Sequence, residues 1–274
     1  MQVRAVQPLG FLHKPASFKL RYSTKKRTKQ RSSVQSCAPK RDLEGQSVAV
    51  IGLGKSGRAA ARLALARGAS VVAIDQNENL GLLEEDPLFM KHSSLRTILG
   101  HFDTELLKDA DIVVLSPGVP LENHGISCLL QSGKLIMSEM DFAAEVLPKG
   151  TKILAVTGTN GKSTVVTFAG QMLNHLGIEA FVGGNLGNPL SNASFDFLML
   201  PSSKSKFQVA VVEVSSYQME IPNRYFCPSV SVVLNLTPDH MERHKSMRNY
   251  AMAKCRLFSH MTNAKLGILS SGMC

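Results

Sequence analysis

Cysteine is scarce and unpatterned: five in 274 residues (Cys37, Cys128, Cys227, Cys255, Cys274), an odd count with no C-x-x-C or zinc spacing. That argues against a disulfide framework or a zinc module and favours reduced, buried or incidental thiols. Long apolar runs are missing too. None reaches the roughly 18 residues needed to cross a bilayer, so no membrane insertion is expected. Acidic residues are absent from the first 41 positions, which hold eleven Lys or Arg, and the first carboxylate is Asp42. The formal charge of +10 therefore belongs to the tail. Beyond it 20 basic residues face 21 acidic ones, a near-neutral balance. A basic nucleic-acid surface loses its support, and no nucleic-acid partner is expected.

The tail itself, residues 1–44, is rich in Arg, Lys and Ser and has no central apolar core of the secretory kind. Its composition reads as a disordered organelle transit peptide, plastid or mitochondrial. A basic disordered tail, or a nuclear-type patch at Lys25 to Arg31, is the alternative.

The rest of the chain is organised around Lys152 to Thr164, where an apolar, β-rich run ends in T-G-T-N-G-K-S-T. A helix-compatible segment follows from Ser163 to about Leu176. Strand, glycine turn and helix start together make an anion site, because free N–H groups converge where the helix dipole is positive. Gly158, Thr159, Asn160 and Gly161 would form the cradle. Lys162 adds a full charge for the β/γ-phosphates, and the hydroxyl of Ser163 or Thr164 suits Mg²⁺. The strict phosphate-loop pattern wants glycine where this chain has Val156, so the motif is a compressed version. The expectation is a nucleoside triphosphate site.

Upstream, about 45–149, Gln46 to Ile51 reads as a buried strand entering Gly52-Leu53-Gly54-Lys55-Ser56-Gly57, then an Ala/Leu/Arg helix. A second strand ends at Asp75, 18 residues after Gly57. This is a βαβ unit with G-x-G-x-x-G at its first turn, and read alone it says dinucleotide. Gly52 allows the tight turn, Gly54 lets backbone approach a phosphate, and Gly57 allows close helix–strand packing. Asp75 would accept bonds from a ribose or base. A further strand, Asp111 to Leu115, runs into Ser116-Pro117-Gly118-Val119-Pro120, where Gly118 could meet the same ligand. His92, His101 and His124 lack ligand spacing. Pro148-Lys149-Gly150 is the expected domain boundary.

In the second unit, about 150–274, the turn Gly183-Gly184-Asn185-Leu186-Gly187 would place Asn185 near the phosphates. Residues 191–207 read as a surface loop. Phe207 to Ser216 is an apolar strand that carries Glu213 into its end. An unpaired buried carboxylate is costly, so a cation is expected there, Mg²⁺ beside a triphosphate or a basic side chain. Val230 to Leu234 leads to Asn235 and on to His240, a metal ligand or a structural histidine. Lys254 lies in an Ala-rich helix, where a lysine usually snorkels.

Taken in order, these stretches resemble the Mur ligase family over about residues 45 to 270. They are I-G-L-G-K-S-G (51–57), S-P-G-V (116–119), V-T-G-T-N-G-K-S-T (156–164), G-G-N-L-G (183–187), V-E-V-S-S-Y-Q (212–218), L-N-L-T-P-D-H-M-E-R-H (234–244) and Y-A-M-A-K (250–254). The resemblance implies an α/β fold: a Rossmann-like N-terminal domain followed by an incomplete P-loop-type central domain. It replaces the dinucleotide by a UDP-sugar, with Gly54, Lys55, Ser56, Asp75, Gly118 and Asn185 as substrate contacts. It implies ATP-dependent amide ligation in peptidoglycan precursor synthesis, joining D-glutamate to UDP-N-acetylmuramoyl-L-alanine through an acyl phosphate. Lys162, Lys254 and His240 would be catalytic; Ser163 or Thr164 and Glu213 would hold one Mg²⁺, and His240 a second. Lys254 matches the family's carbamylated lysine.

The family's central domain runs past Cys274 and a D-glutamate-binding domain follows it. The expectation is a truncated, monomeric chain that binds nucleotide and UDP-sugar without ligating, in the plastid stroma where bacterial relatives are cytoplasmic. A non-catalytic plastid module of the same fold, or an NAD(P)-dependent oxidoreductase, are the rival readings.

Overall fold

A computed structural model describes residues 3–6, 42–101, 104–122, 125–148, 150–199, 207–259 and 266–270. His124 and Lys149, together with most of the expected leader, lie outside them. The chain opens with a short strand, β1 (Val3–Val6). Next come β2 (Ser47–Ile51), α1 (Lys55–Ala66), β3 (Ser70–Asp75), β4 (Leu95–Leu99) and α2 (Thr104–Asp109). They are followed by β5 (Ile112–Leu115), α3 (Ile126–Gln131), β6 (Ile136–Ser138) and α4 (Glu139–Ala144). These strands make one all-parallel sheet in the order β4-β3-β2-β5-β6. Strand order reverses between β2 and β5, and ligands of open α/β sheets bind at such a reversal, outside the carboxyl ends of the strands.

The second sheet is built from β7 (Lys152–Thr157), α5 (Lys162–His175), β8 (Ala180–Gly184), α6 (Leu190–Met199) and β9 (Val209–Glu213). To these are added β10 (Val230–Val233), α7 (Met241–His244), α8 (Met247–Cys255) and β11 (Leu266–Ser270). Its order is β1-β11-β10-β7-β9-β8, parallel throughout except that β1 runs antiparallel to β11. β1 corrects the expectation of disorder for residues 3–6: Val3 to Val6 has two β-branched ends and meets an open strand edge.

A second correction concerns residues 191–207. Serine-rich composition suggested a loop, yet Leu190–Met199 is helical, with Leu190, Ser191, Ala193 and Ser194 buried. Small side chains on that face let α6 approach α1 and α4 closely. Ser194 Oγ donates to the Ala143 carbonyl at 2.8 Å, and the Arg62 guanidinium lies 3.7 Å from the Phe195 ring centroid. Asp141, in α4, accepts the backbone N–H groups of Arg224, Tyr225 and Phe226 at 2.7–3.0 Å. The two sheets are thereby joined through α4.

Glu139 sits in the same joint, 1 % exposed, and accepts the Ser191 N–H at 2.7 Å through Oε1. Its Oε2 and the Ser191 hydroxyl have no partner among the described residues. Burial pushes its pKa from 4.5 to about 7, against the Ser191 hydrogen bonds. Between those two values the native chain keeps a proton that the unfolded chain has lost, so stability falls as pH rises through that window. Below it both forms are protonated and the penalty vanishes. Glu139→Gln is accordingly expected to match wild type near pH 4 and to exceed it at pH 8, by on the order of 3 kcal/mol. Urea midpoints across that range check this; parallel pH profiles for the two proteins would discard it.

Candidate active site

β7 delivers the chain into a loop whose bends need glycine: Gly158 has φ +150° and Gly161, capping α5, has φ +83°. The loop after β10 straps it. Asn160 N–H donates to Asn235 Oδ1 at 2.9 Å and Asn235 Nδ2 returns to the Asn160 carbonyl at 3.1 Å. Thr159 Oγ1 accepts the Thr237 N–H at 3.0 Å and meets the Tyr250 hydroxyl at 3.1 Å. Thr237 and Tyr250 were not singled out in the sequence, since only the fold brings them to Thr159. Lys162 Nζ donates to the Thr159 carbonyl at 2.7 Å, so its charge lies against the cradle; Thr164 is exposed.

Ser163 Oγ donates to Glu213 Oε2 at 2.6 Å, and Asn185 Nδ2 donates to Glu213 Oε1 at 3.2 Å. Glu213 is 3 % exposed at the end of β9, so these two bonds satisfy a carboxylate removed from water. Its neighbour strand comes very close: a Cβ on Gly184 would lie 2.4 Å from the Glu213 carbonyl oxygen. Only glycine admits Asn185 to this position.

Lys254 does not snorkel. It is 2 % exposed, and its Nζ donates to the Gly158 carbonyl at 3.0 Å and lies 4.5 Å from the Tyr250 ring centroid. Burial first, then the Lys162 charge, lowers its pKa to about 8, while Asp239 opposes the shift. The sequence spacing missed this because the helix is Ala-rich on both sides; the acceptor is 96 residues away.

His240 lies at the start of α7. It caps α7 with φ +54°, its ring lies 4.7 Å from that of Tyr217, and Nε2 and Nδ1 are 3.5 and 3.6 Å from Asp239 and Glu242 carboxylate oxygens. Among the described residues no group of three or more His, Cys, Asp or Glu is arranged to hold a metal. Of the metal ligands that the resemblance implies, Ser163 and Glu213 are hydrogen-bonded to each other, while His240, expected on a second ion, lies beside Asp239 and Glu242. The donors that do converge are hard oxygens, the chemistry that suits Mg²⁺.

A cavity of about 430 Å³ lies at the strand-order reversal of the first sheet. Gly54, Lys55, Ser56, Asp75, Gly118 and Asn185 all line it. Asp75 also shapes the turn, since Oδ2 accepts the Leu53 N–H at 2.6 Å and Oδ1 the Asn77 N–H at 2.9 Å. Asn185 belongs to both places: it lines this cavity and holds the carboxylate that holds Ser163.

A glycine-rich loop whose exposed Ser163 meets the buried Glu213 thus lies beside a cavity at the strand-order reversal of the first sheet. Residues 46–138 match the family model "Mur ligase MurD-like, N-terminal domain", and residues 156–272 match "Mur ligase middle domain". The chain belongs to the Mur ligase family. It is 42% identical over 219 residues to a UDP-N-acetylmuramoylalanine–D-glutamate ligase of Anaeromyxobacter dehalogenans, covering 80% of this chain and 45% of that protein. The like-named protein of Desulfatibacillum aliphaticivorans is 36% identical over 231 residues, 84% of this chain and 48% of the relative. The chain thus spans about half the length of the curated relatives it matches. A solved UDP-N-acetylmuramate:L-alanyl-gamma-D-glutamyl-meso-diaminopimelate ligase from Neisseria meningitides aligns with 80% of this chain and 69% of its own, at 16% identity and TM-score 0.49.

Proposed function

We propose that this chain is the nucleotide- and uridine-sugar-binding part of an ATP-dependent ligase that adds D-glutamate to UDP-N-acetylmuramoyl-L-alanine, for peptidoglycan precursor synthesis. One observation supports this above the rest. Asn185 links the cavity at the first sheet to Glu213 and Ser163 of the phosphate loop through two hydrogen bonds. A substrate carboxylate reaching out of that cavity would arrive beside the phosphates. An NAD(P) oxidoreductase would use the first cavity alone and leaves the second site without a purpose.

In the reaction the substrate carboxylate oxygen attacks the γ-phosphorus and ADP departs. The amine of D-glutamate then attacks the acyl carbon and phosphate departs. The chain's part is positioning and charge. The loop amides and Lys162 hold the phosphate oxygens, the latter exchanging the Thr159 carbonyl for a phosphate oxygen. Ser163 and Glu213 would hold Mg²⁺, which supplies charge stabilisation when bound. His240, with its Nε2 3.5 Å from an Asp239 carboxylate oxygen, would serve a second cation. Lys254, with a depressed pKa and no carboxylate partner within bonding distance among the described residues, is chemically suited to carbamylation. An amine that titrates near neutrality has a nucleophilic neutral form.

Calorimetric titration tests the reading. The purified chain is expected to bind ATP in a Mg²⁺-dependent manner and to bind UDP-N-acetylmuramoyl-L-alanine. Binding of NADH in place of the uridine compound, or ATP binding indifferent to Mg²⁺, would overturn it in favour of the oxidoreductase or a scaffold respectively. Plastid import through residues 1–44 is a separable part of the proposal; a diffuse cytosolic signal from a reporter bearing that segment would remove it.

A further inference from the structure

The Ser116–Pro120 loop is a wall with two faces. One lines the cavity of the first sheet, through Pro117, Gly118, Val119 and Pro120. Against the other lies Arg243, from α7 in the second half of the chain, more than 120 residues away in sequence. Its Nη1 donates to the Pro117 carbonyl at 3.3 Å and its Nη2 to the Val119 carbonyl at 2.9 Å. The guanidinium is itself fixed. Nε and Nη2 bind the Glu220 carboxylate at 2.6–3.1 Å, and the plane sits 4.0 Å from the Tyr217 ring centroid.

The geometry of the loop gives that contact a consequence. Val119 N–H donates to the Ser116 carbonyl at 3.1 Å, closing a β-turn with Pro117 and Gly118 at its centre. Gly118 is not among the positive-φ glycines and none of the turn's peptide bonds is cis, so the turn is type I. The middle peptide of such a turn, Pro117 C=O with Gly118 N–H, is used by neither arm of the turn. Because the peptide is trans, its carbonyl and its N–H point in opposite directions. Arg243 holds the carbonyl on the outer face. The N–H is left toward the cavity, and no hydrogen bond from it is found among the described residues.

We propose that Arg243 is a positioning residue for the uridine-nucleotide cavity: by pinning the Pro117 and Val119 carbonyls it turns the Gly118 N–H inward as a donor to a diphosphate oxygen. This rests on the nucleotide-sugar reading above. It also explains why the second half of the chain supplies the residue, since the loop then takes its register from the body that carries the phosphate loop. Lysine could not substitute fully, because one ammonium cannot span two carbonyls and a carboxylate in a plane.

The test compares UDP with uridine, by ligand-observed NMR and calorimetry, on wild type, Arg243→Met and Arg243→Lys. A lost donor to a charged oxygen is expected to weaken UDP by about tenfold in Arg243→Met. Uridine, which has no diphosphate, should bind all three alike. Arg243→Lys should fall between, and serves alone if the methionine variant does not fold. Equal weakening of UDP and uridine would show a merely structural staple and overturn the proposal, as would unchanged UDP affinity in both variants. Failure of the wild type to bind UDP would instead strike the nucleotide-sugar reading, and this proposal with it.

Discussion

A chain carrying Gly57→Ala is expected to lose UDP binding and to unfold at a clearly lower urea concentration than wild type. A Cβ at this position would stand 1.7 Å from the Gly52 carbonyl oxygen and 2.8 Å from Ser116 Oγ. Neither neighbour can retreat. The Gly52 carbonyl accepts the Ser116 hydroxyl at 2.6 Å, and the Gly52 N–H donates to Ile74 at 2.8 Å. Relief must come from moving α1 off β2, which opens the apolar packing of Ala60, Ala61 and Ala64. Overpacking against flexible side chains costs about 1–3 kcal/mol, and against backbone the cost should be at or above the top of that range. Gly54→Ala is the control, because a Cβ there meets nothing within 4 Å. Its midpoint should stay near wild type. Equal midpoints and equal UDP affinity for the Gly57 variant and wild type would sink the prediction.

Glu213→Gln carries the second large effect. The amide preserves the shape of the buried side chain and can still pair with Ser163 or Asn185, so the fold should survive. What disappears is a full negative charge beside the phosphate loop. ATP affinity in Mg²⁺ is expected to fall by about 100-fold, the scale of one deleted electrostatic contact, roughly 3 kcal/mol. In EDTA wild type and variant should bind ATP alike, since the carboxylate contributes only through the cation. Identical magnesium dependence in the two proteins would show that Glu213 is a structural acceptor for Ser163 and Asn185 and nothing more.

Much of this architecture is legible in the chain because it is written locally. The glycine turn at Gly52 to Gly57 and the phosphate loop at Gly158 to Ser163 lie between an apolar strand and a helix, so periodicity and glycine spacing place both. The six residues read as substrate contacts come from four separate stretches, yet they line one cavity: the parallel strands of the first sheet bring five of them to one edge, and Asn185 comes to it from the second sheet. What stayed hidden depends on distant partners. Leu190 to Met199 looks like a loop until α1 and α4 accept its small serine face. Asp141 reads as an ordinary early-helix acid until three amides, more than 80 residues on, close around it. Arg243 sits inside a stretch noted for its histidine, and only the turn at Pro117 and Gly118 gives it a task. Lys254 is the sharpest case: its surroundings suggested a solvated stem, and its burial is decided by the loop that covers it.

The carboxylate of Asp141 bears on how the molecule comes apart. Drawing the two halves away from each other would strip an anion of all its amide donors and leave Glu139 and Ser194 facing water across a split seam. Neither half can open by itself without that loss, so the break at Pro148 does not act as a hinge. Melting, chain cleavage and refolding should therefore be events of the whole body, with the first cavity and the phosphate loop surviving or failing together.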